Sequence, residues 1–159
     1  MTSTPGCWAI YGEVLAREYS STLYFPVQRL TVDAFAVQHP GSTDRQSIQS
    51  VGLHLIRLCL FLEHGLGAEN ANDAMLEAGK HKSTFTWLKP PDSMGRITAA
   101  DVYRAESVHE HKTIVRAWAE SSWNAWALHH NTIRSWLPER MKATAAGYLG
   151  SDEKQREKE

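Results

Sequence analysis

The chain has 159 residues, of which 42% are hydrophobic and 22% charged, which is the composition of one ordinary globular domain. Its 17 basic and 18 acidic residues give a formal net charge of −1, so the sequence lacks the excess of basic residues that binding to nucleic acid or an anionic membrane requires. Only Cys7 and Cys59 are present, without the spacing of a thiolate zinc site or a disulfide framework. We expect no nucleic-acid partner and a reducing compartment.

The most apolar segment, residues 51–62, is too short to cross a bilayer and contains His54 and Arg57. The N-terminus lacks the basic region and apolar run of a secretory leader. The sequence therefore predicts a cytoplasmic protein with no membrane partner.

Helical spacing of apolar residues predicts a first helix over 6–19 and a second over 26–39. Glu18 falls on the inward stripe of the first helix, where it either pairs with a basic side chain such as Arg29 or acts as a metal ligand or base. His39 lies in the last turn of the second helix. There it either stabilises the helix end or binds a metal.

A third helix is predicted over 45–64, capped by Ser42 or Asp44. Apolar residues lie around most of its surface, so we expect it to be the central helix of the bundle. His54 lies at the flank of its main apolar face. A histidine there is either a core side chain hydrogen-bonded to a carbonyl or hydroxyl, or a metal ligand between two helices.

A short accessory helix over 70–80 is followed by an aromatic loop over 85–91, which we expect to be ordered over the bundle as a lid. The sequence Thr98-Ala-Ala-Asp101 resembles a capping box that begins a helical region reaching 137, either continuous or broken near 105–107.

No stretch alternates with period two. We therefore predict an all-α, single-domain bundle over residues 1–150, with four principal helices, a short accessory helix and the ordered aromatic loop. Residues 151–159 are predicted to be a disordered charged tail.

The C-terminal helical region carries a stripe of tryptophans with histidines at its centre. His129 and His130 are about 100° apart around a helix, so one faces the core and the other flanks it. Such a stripe is either core or the wall of a ligand site. The candidate ligand-binding residues are Trp118, Trp123 and Trp126.

Neutral imidazoles and carboxylates are the ligands that Zn²⁺, Ni²⁺ and Fe²⁺ accept, and three of them with an open position would make a Lewis-acid site. The candidate ligands are His54, His129, His130, His39 and Glu18, with Asp33 as a further carboxylate. The first hypothesis is thus a helical protein with a divalent-metal site in its core, and whether it is an enzyme stays open.

Two alternatives remain. One is a non-catalytic module that binds a small apolar or aromatic molecule against the tryptophans. The other is a structural or partner-binding bundle whose histidines are satisfied by hydrogen bonds; a homodimer belongs here.

Two sequence blocks read Gly6-Cys-Trp-x-x-Tyr-Gly-Glu-Val-Leu-Ala-Arg-Glu-Tyr19 and Arg29-Leu-Thr-Val-Asp-Ala-Phe-Ala-Val-Gln-His-Pro-Gly41. With the segment from Trp118 to Trp136, they resemble an uncharacterised bacterial family, a domain of unknown function. That resemblance covers most of the chain and implies no established chemistry.

A second resemblance concerns Gly52-Leu-His54 and the segment from His129 to Leu137. Both are similar to the helices that supply metal ligands in the DinB/YfiT-like four-helix metalloproteins. This similarity implies a metal site that includes His54, although Trp126 stands where that superfamily has a further histidine.

Overall fold

The computed structural model describes residues 5–142, and within that range it contains helices and no strand. The helices are α1 (Pro5–Ser20), α2 (Gln28–Gln38), α3 (Arg45–Leu62), α4 (Ala68–Gly79), α5 (Ala99–Tyr103), α6 (Val108–Ala125) and α7 (His130–Ser135). Short 3₁₀ turns span Phe25–Val27, Lys82–Thr84 and Ala127–His129.

The all-α prediction is confirmed. The count of four principal helices is not, because the helix expected to be accessory, α4, has 12 residues and exceeds α2, which has 11. The predicted charged tail from residue 151 lies outside the described residues.

Two helix starts follow the capping signals in the sequence. The Asp44 carboxylate accepts a hydrogen bond from the Ser47 N–H at 2.9 Å, so α3 begins where a cap satisfies an unpaired donor. At α5, Thr98 and Asp101 form the predicted capping box.

The long C-terminal helical region is broken twice. The first break separates α5 from α6, which begins after Ser107, whose hydroxyl accepts from the Glu110 N–H at 3.1 Å. The second break follows Ala125, so the stretch that carries the tryptophans and histidines is two helices joined by a 3₁₀ turn.

The second break has a local cause. The Trp123 carbonyl accepts from the Trp126 N–H at 3.0 Å and from the His130 ring at 2.9 Å. Because the side chain of His130 takes the place of the next backbone donor, the carbonyl is satisfied without another α-helical turn. The sequence pattern alone predicted a continuous helix here, and that prediction was wrong.

Two hydrophobic clusters form the core, one around α3 and one around α1. Helix α2 lies between them, since Val37 belongs to the first cluster and Ala34 and Phe35 to the second.

Helix α2 also buries four polar side chains, namely Gln28, Thr31, Asp33 and Gln38. Burying a polar group without a partner costs about 1 to 3 kcal/mol, so each requires a hydrogen bond. Thr31 and Asp33 bond to side chains of other helices, and Gln38 bonds to Trp118 of α6 and to carbonyls of residues 94 and 97, which precede α5.

A strap, residues 85–98, connects the 3₁₀ turn after α4 to α5 and lies over the bundle. Phe85 and Leu88 are buried, whereas Trp87 is 48% exposed. Arg45 donates to the Phe85 carbonyl at 2.7 Å and fixes the beginning of the strap. The ordered aromatic loop expected from the sequence is therefore present.

None of the helices in the described part of the chain has both the length and the apolarity that a bilayer crossing requires.

Candidate functional site

The first buried polar cluster joins α1, α2 and α6. Glu18 Oε1 accepts from the Thr31 hydroxyl at 2.6 Å and from His111 Nε2 at 2.8 Å, and all three side chains are buried. Arg17 lies 3.4 Å from His111 Nδ1. Because a guanidinium can only donate, Nδ1 is the acceptor and Nε2 carries the proton.

The expected partner of Glu18 was Arg29, and that prediction was wrong. Arg29 donates instead to the Ala68 carbonyl. The actual partner, His111, was missed because a continuous helix would place it far from His129, with which it was compared. It precedes Val115 by one turn, so extending the α6 apolar stripe backwards would have found it.

The second buried cluster joins α2 and α3. Asp33 Oδ1 accepts from His54 Nδ1 at 2.8 Å, and Arg57 donates to both carboxylate oxygens at 2.7 and 2.8 Å. Arg57 also donates to the Asn72 side chain at 3.1 Å and thereby reaches α4. Asp33 and Arg57 are buried, while the His54 side chain is 23% exposed.

In its neutral form, a His54 ring whose Nδ1 proton is held by the carboxylate has the lone pair of Nε2 left as an acceptor. A carboxylate behind an imidazole is also how metal-binding histidines are commonly oriented. His54 offers only one such nitrogen, however, and the Asp33 carboxylate is already occupied by Arg57.

The other predicted histidine ligands lie apart and have different partners. His129 Nε2 donates to the Lys89 carbonyl of the strap at 2.8 Å. His130 donates to the Trp123 carbonyl and stacks on the Trp123 ring at 3.8 Å. The Nε2 atom of each ring is therefore used in a hydrogen bond to the backbone.

Across residues 5–142, no three side chains of histidine, cysteine, aspartate or glutamate are grouped in a way that could hold a metal ion. The five predicted residues His54, His129, His130, His39 and Glu18 each have a different set of partners. Metal binding by this protein stays a prediction.

The three tryptophans proposed as a ligand wall are buried, with Trp118 fully enclosed. Trp118 Nε1 donates to the Gln38 side chain at 2.9 Å, and Trp126 Nε1 donates to the Val37 carbonyl at 3.2 Å. Both indole donors are thus consumed inside the protein.

An apolar pocket lies where the end of α2 meets α1, α5 and the strap. It encloses about 110 Å³. It is lined chiefly by Cys7, Ile10, Phe35, Gln38, His39 and Met94. For comparison, an apolar cavity of about 150 Å³ holds benzene in another protein, so this space suits one small ring.

His39 lines the pocket, and only one of its two ring nitrogens has a hydrogen-bond partner among the described residues. Its Nδ1 lies 2.8 Å from the Phe35 carbonyl, and because a carbonyl only accepts, Nδ1 carries the proton. Its Nε2 is then an acceptor. That atom is buried and has no hydrogen-bond partner among the described residues.

Aromatic rings hold the imidazole in place. His39 stacks on Phe35 at 4.1 Å, and Phe35 stacks on Tyr11 at 3.9 Å with an angle of 6° between the rings. Burial raises the pKa of Tyr11 to about 12, and the carboxylates of Glu18 and Asp33 act in the same direction. Tyr11 therefore remains a neutral phenol at any physiological pH.

The two thiols have different surroundings. Burial raises the pKa of Cys59 to about 12, and the Glu63 carboxylate beside it adds to the effect. A thiol that stays protonated is a poor nucleophile. Cys7 is half-buried and lines the pocket, so it is the accessible thiol of the two.

Together, the fold and these sites define an all-α protein whose described residues include two carboxylate–histidine pairs and an apolar pocket. A family model described as a family of unknown function, DUF5946, matches residues 1–127, and the chain belongs to this family. No curated protein and no solved structure matches the chain. The similarity to the DinB/YfiT-like metalloproteins is not shown by any of these comparisons.

The matched segment contains the pocket and both carboxylate–histidine pairs. His129 and His130 lie beyond its end.

Proposed function

We propose that this protein is a non-catalytic binding module for a small, mostly apolar molecule that carries one hydrogen-bond donor. The pocket at the end of α2 is the binding site. The observation that carries this proposal is a mostly apolar pocket lined by His39, whose buried Nε2 has no hydrogen-bond partner among the described residues.

The chemistry of the lining supports this ligand class. Small-molecule sites are mainly hydrophobic, with a few polar groups that fix the orientation of the ligand. The Gln38 side chain also lines the pocket, but both ends of its amide are already hydrogen-bonded within the protein. His39 Nε2 is then the acceptor left for a ligand hydroxyl or N–H group.

The size of the cavity limits the ligand. A space of about 110 Å³ admits a single small ring and excludes nucleotides or peptides. Phe35 supplies an aromatic wall beside the imidazole. Phenol is therefore a suitable probe, because it joins one apolar ring to one donor.

Calorimetry with phenol tests the proposal, with benzene as the donor-free comparison. A ligand of seven heavy atoms is expected to bind with a Kd on the order of 1 mM or weaker. The His39→Phe variant should lose about 2- to 10-fold in phenol affinity, the value of one hydrogen bond, and keep its benzene affinity. The His109→Phe variant is the control, since His109 is exposed.

Equal binding of phenol to wild-type protein and His39→Phe would remove His39 from the site. Absence of phenol and benzene binding at millimolar concentrations would contradict the pocket as a site for this class of ligand.

The metal hypothesis has less support, because His54 is the one predicted ligand with both a carboxylate behind it and an open nitrogen. Elemental analysis of untagged protein decides it. One equivalent of zinc, nickel or iron per chain would favour the metal hypothesis. A folded, metal-free protein that does not bind added Zn²⁺ or Ni²⁺ would contradict it. A homodimer likewise stays a prediction, to be checked by the mass in solution.

A further inference from the structure

The outer wall of the pocket is the second half of the strap. Met94 and Gly95 line the pocket directly, and the Met94 side chain is buried. Gly95 has a φ of +89°, and a Cβ atom there would lie 2.5 Å from the Ser121 hydroxyl of α6. A glycine is thus required for the strap to approach α6 so closely.

Gln38 holds this part of the strap. Its amide nitrogen donates to the Met94 carbonyl at 3.0 Å and to the Ile97 carbonyl at 2.8 Å. Its oxygen accepts from Trp118 Nε1 at 2.9 Å. Because an indole can only donate, Trp118 fixes the orientation of the amide, and both N–H groups must face the strap.

We propose that the strap segment 94–97 is the gate of the pocket and that Gln38 is its latch. This inference rests on the proposed function of the pocket as a ligand site. The segment has no regular secondary structure, and local openings arise in such parts of a protein. When the two Gln38 hydrogen bonds break, Met94 and Gly95 move away and the ligand enters.

The sequence supplies a reporter for this opening. Arg96 is exposed and lies between the two carbonyls that Gln38 holds, so trypsin can cut after it only when the segment leaves its bound conformation. Lys89 precedes a proline and resists trypsin. Arg116, within α6, reports global unfolding.

Native-state proteolysis of the wild-type chain is the first measurement. When opening and closing are fast, the cleavage rate follows the population of the open form. Cleavage at Arg96 should precede cleavage at Arg116 by at least tenfold. Equal rates at the two sites would show that the segment opens only when the whole protein unfolds, which would overturn the gate.

The Gln38→Glu variant tests the latch. Glutamate keeps the acceptor for Trp118 but replaces both N–H donors with a carboxylate oxygen that faces two carbonyls. Cleavage at Arg96 should accelerate about tenfold or more, and cleavage at Arg116 should accelerate by a similar factor, because the Gln38 hydrogen bonds are lost in the unfolded form as well as in the open form. If this variant does not fold, Gln38→Met takes its place, and an Arg96 rate that stays at the wild-type value while Arg116 cleavage accelerates contradicts the latch.

The matched control is His129→Ala, which removes the anchor of the first half of the strap at the Lys89 carbonyl. It should leave the Arg96 rate within about twofold of wild type. Equal acceleration by Gln38→Glu and His129→Ala would mean that the strap opens as one unit and that Gln38 is not the latch.

Phenol separates the gate from the proposed function. At ten times its Kd, phenol should slow Arg96 cleavage in the wild type about tenfold, because it binds the closed form. If Gln38→Glu accelerates cleavage but phenol does not bind, the latch stands, and both the proposed function and the gating role fall. If phenol binds and does not slow Arg96 cleavage, the gate alone is contradicted.

Discussion

Glu18 and His111 lie 93 residues apart in the chain and share a 2.8 Å hydrogen bond in the core, with neither side chain exposed. This contact ties α1 to α6. The second oxygen of Glu18 has no partner among the described residues. A buried carboxylate in that state depends strongly on the donors it does have.

Replacing His111 should therefore destabilise the protein. The His111→Ala variant leaves the Glu18 carboxylate buried with Thr31 as its remaining donor, and we expect a loss of about 3 to 5 kcal/mol in the free energy of unfolding. Urea denaturation followed by circular dichroism measures it. The double variant Glu18→Met with His111→Leu should lose less than His111→Ala, because no charge is left unpaired. A change below about 0.5 kcal/mol in His111→Ala would contradict the account.

Asp33 should be equally sensitive. The Asp33→Asn variant keeps the shape of the side chain but removes the charge opposite the buried Arg57 guanidinium. We expect a loss of about 3 to 5 kcal/mol in the free energy of unfolding, measured in the same way. Lys142→Ala breaks an exposed pair with Glu139 and serves as the control, with a loss of about 0 to 1 kcal/mol. Similar small losses in both variants would argue against a buried ion pair.

The raised pKa of Tyr11 should make the free energy of unfolding depend on pH in the alkaline range. Its pKa is about 12 in the folded chain and about 10 when unfolded, so between these values the unfolded state releases the proton first. Stability is then fully present below pH 10 and falls by about 2 to 3 kcal/mol as pH rises to 12.

The Tyr11→Phe variant removes this contribution. Its unfolding free energy should decline less steeply than that of the wild type between pH 10 and 12, measured by denaturant titrations at several pH values. Cys59 titrates in the same range in both proteins, so the difference between them isolates Tyr11. Tyr19→Phe is the control, because Tyr19 is 65% exposed. Parallel curves for Tyr11→Phe and the wild type would contradict the prediction.

A substitution at Gly52 tests how tightly the strap packs on α3. A Cβ atom at Gly52 would lie 2.7 Å from the Phe85 ring, which is buried and stacks on Trp136 at 4.5 Å. The ring has little room to yield, so Gly52→Ala should cost about 1 to 3 kcal/mol despite the better helix propensity of alanine. Gly12→Ala is the control, since a Cβ atom there meets nothing within 4 Å. A melting temperature for Gly52→Ala at or above that of the wild type would show that Phe85 can move aside.

The sequence was informative where local chemistry decides the structure. The caps at Asp44 and Thr98 and the apolar periodicity of α3 depend on residues within a few positions of each other. The all-α class followed from that periodicity. The break at Trp126 did not, because it depends on the ring of His130 reaching a carbonyl seven residues earlier.

The sites were harder to predict, because their partners are distant in sequence. Asp33 was recognised as a candidate carboxylate, but periodicity cannot show that Arg57 reaches it from the next helix. The pairing of Glu18 with His111 and the anchoring of Met94 by Gln38 likewise depend on how helices pack. His39 was recognised as a candidate, although its pocket is formed by segments that no local pattern brings together.

The central claim is that His39 Nε2 has no hydrogen-bond donor in the free protein and accepts one from a bound ligand. The side-chain ¹⁵N spectrum of His39 tests this claim most directly. In the free protein, we predict a protonated Nδ1 and an unprotonated Nε2, as the contact with the Phe35 carbonyl requires. Saturating phenol should shift the Nε2 resonance in the direction of hydrogen bonding, and benzene should not. A protonated Nε2 in the free protein, or an Nε2 resonance that phenol leaves unchanged, would contradict the account.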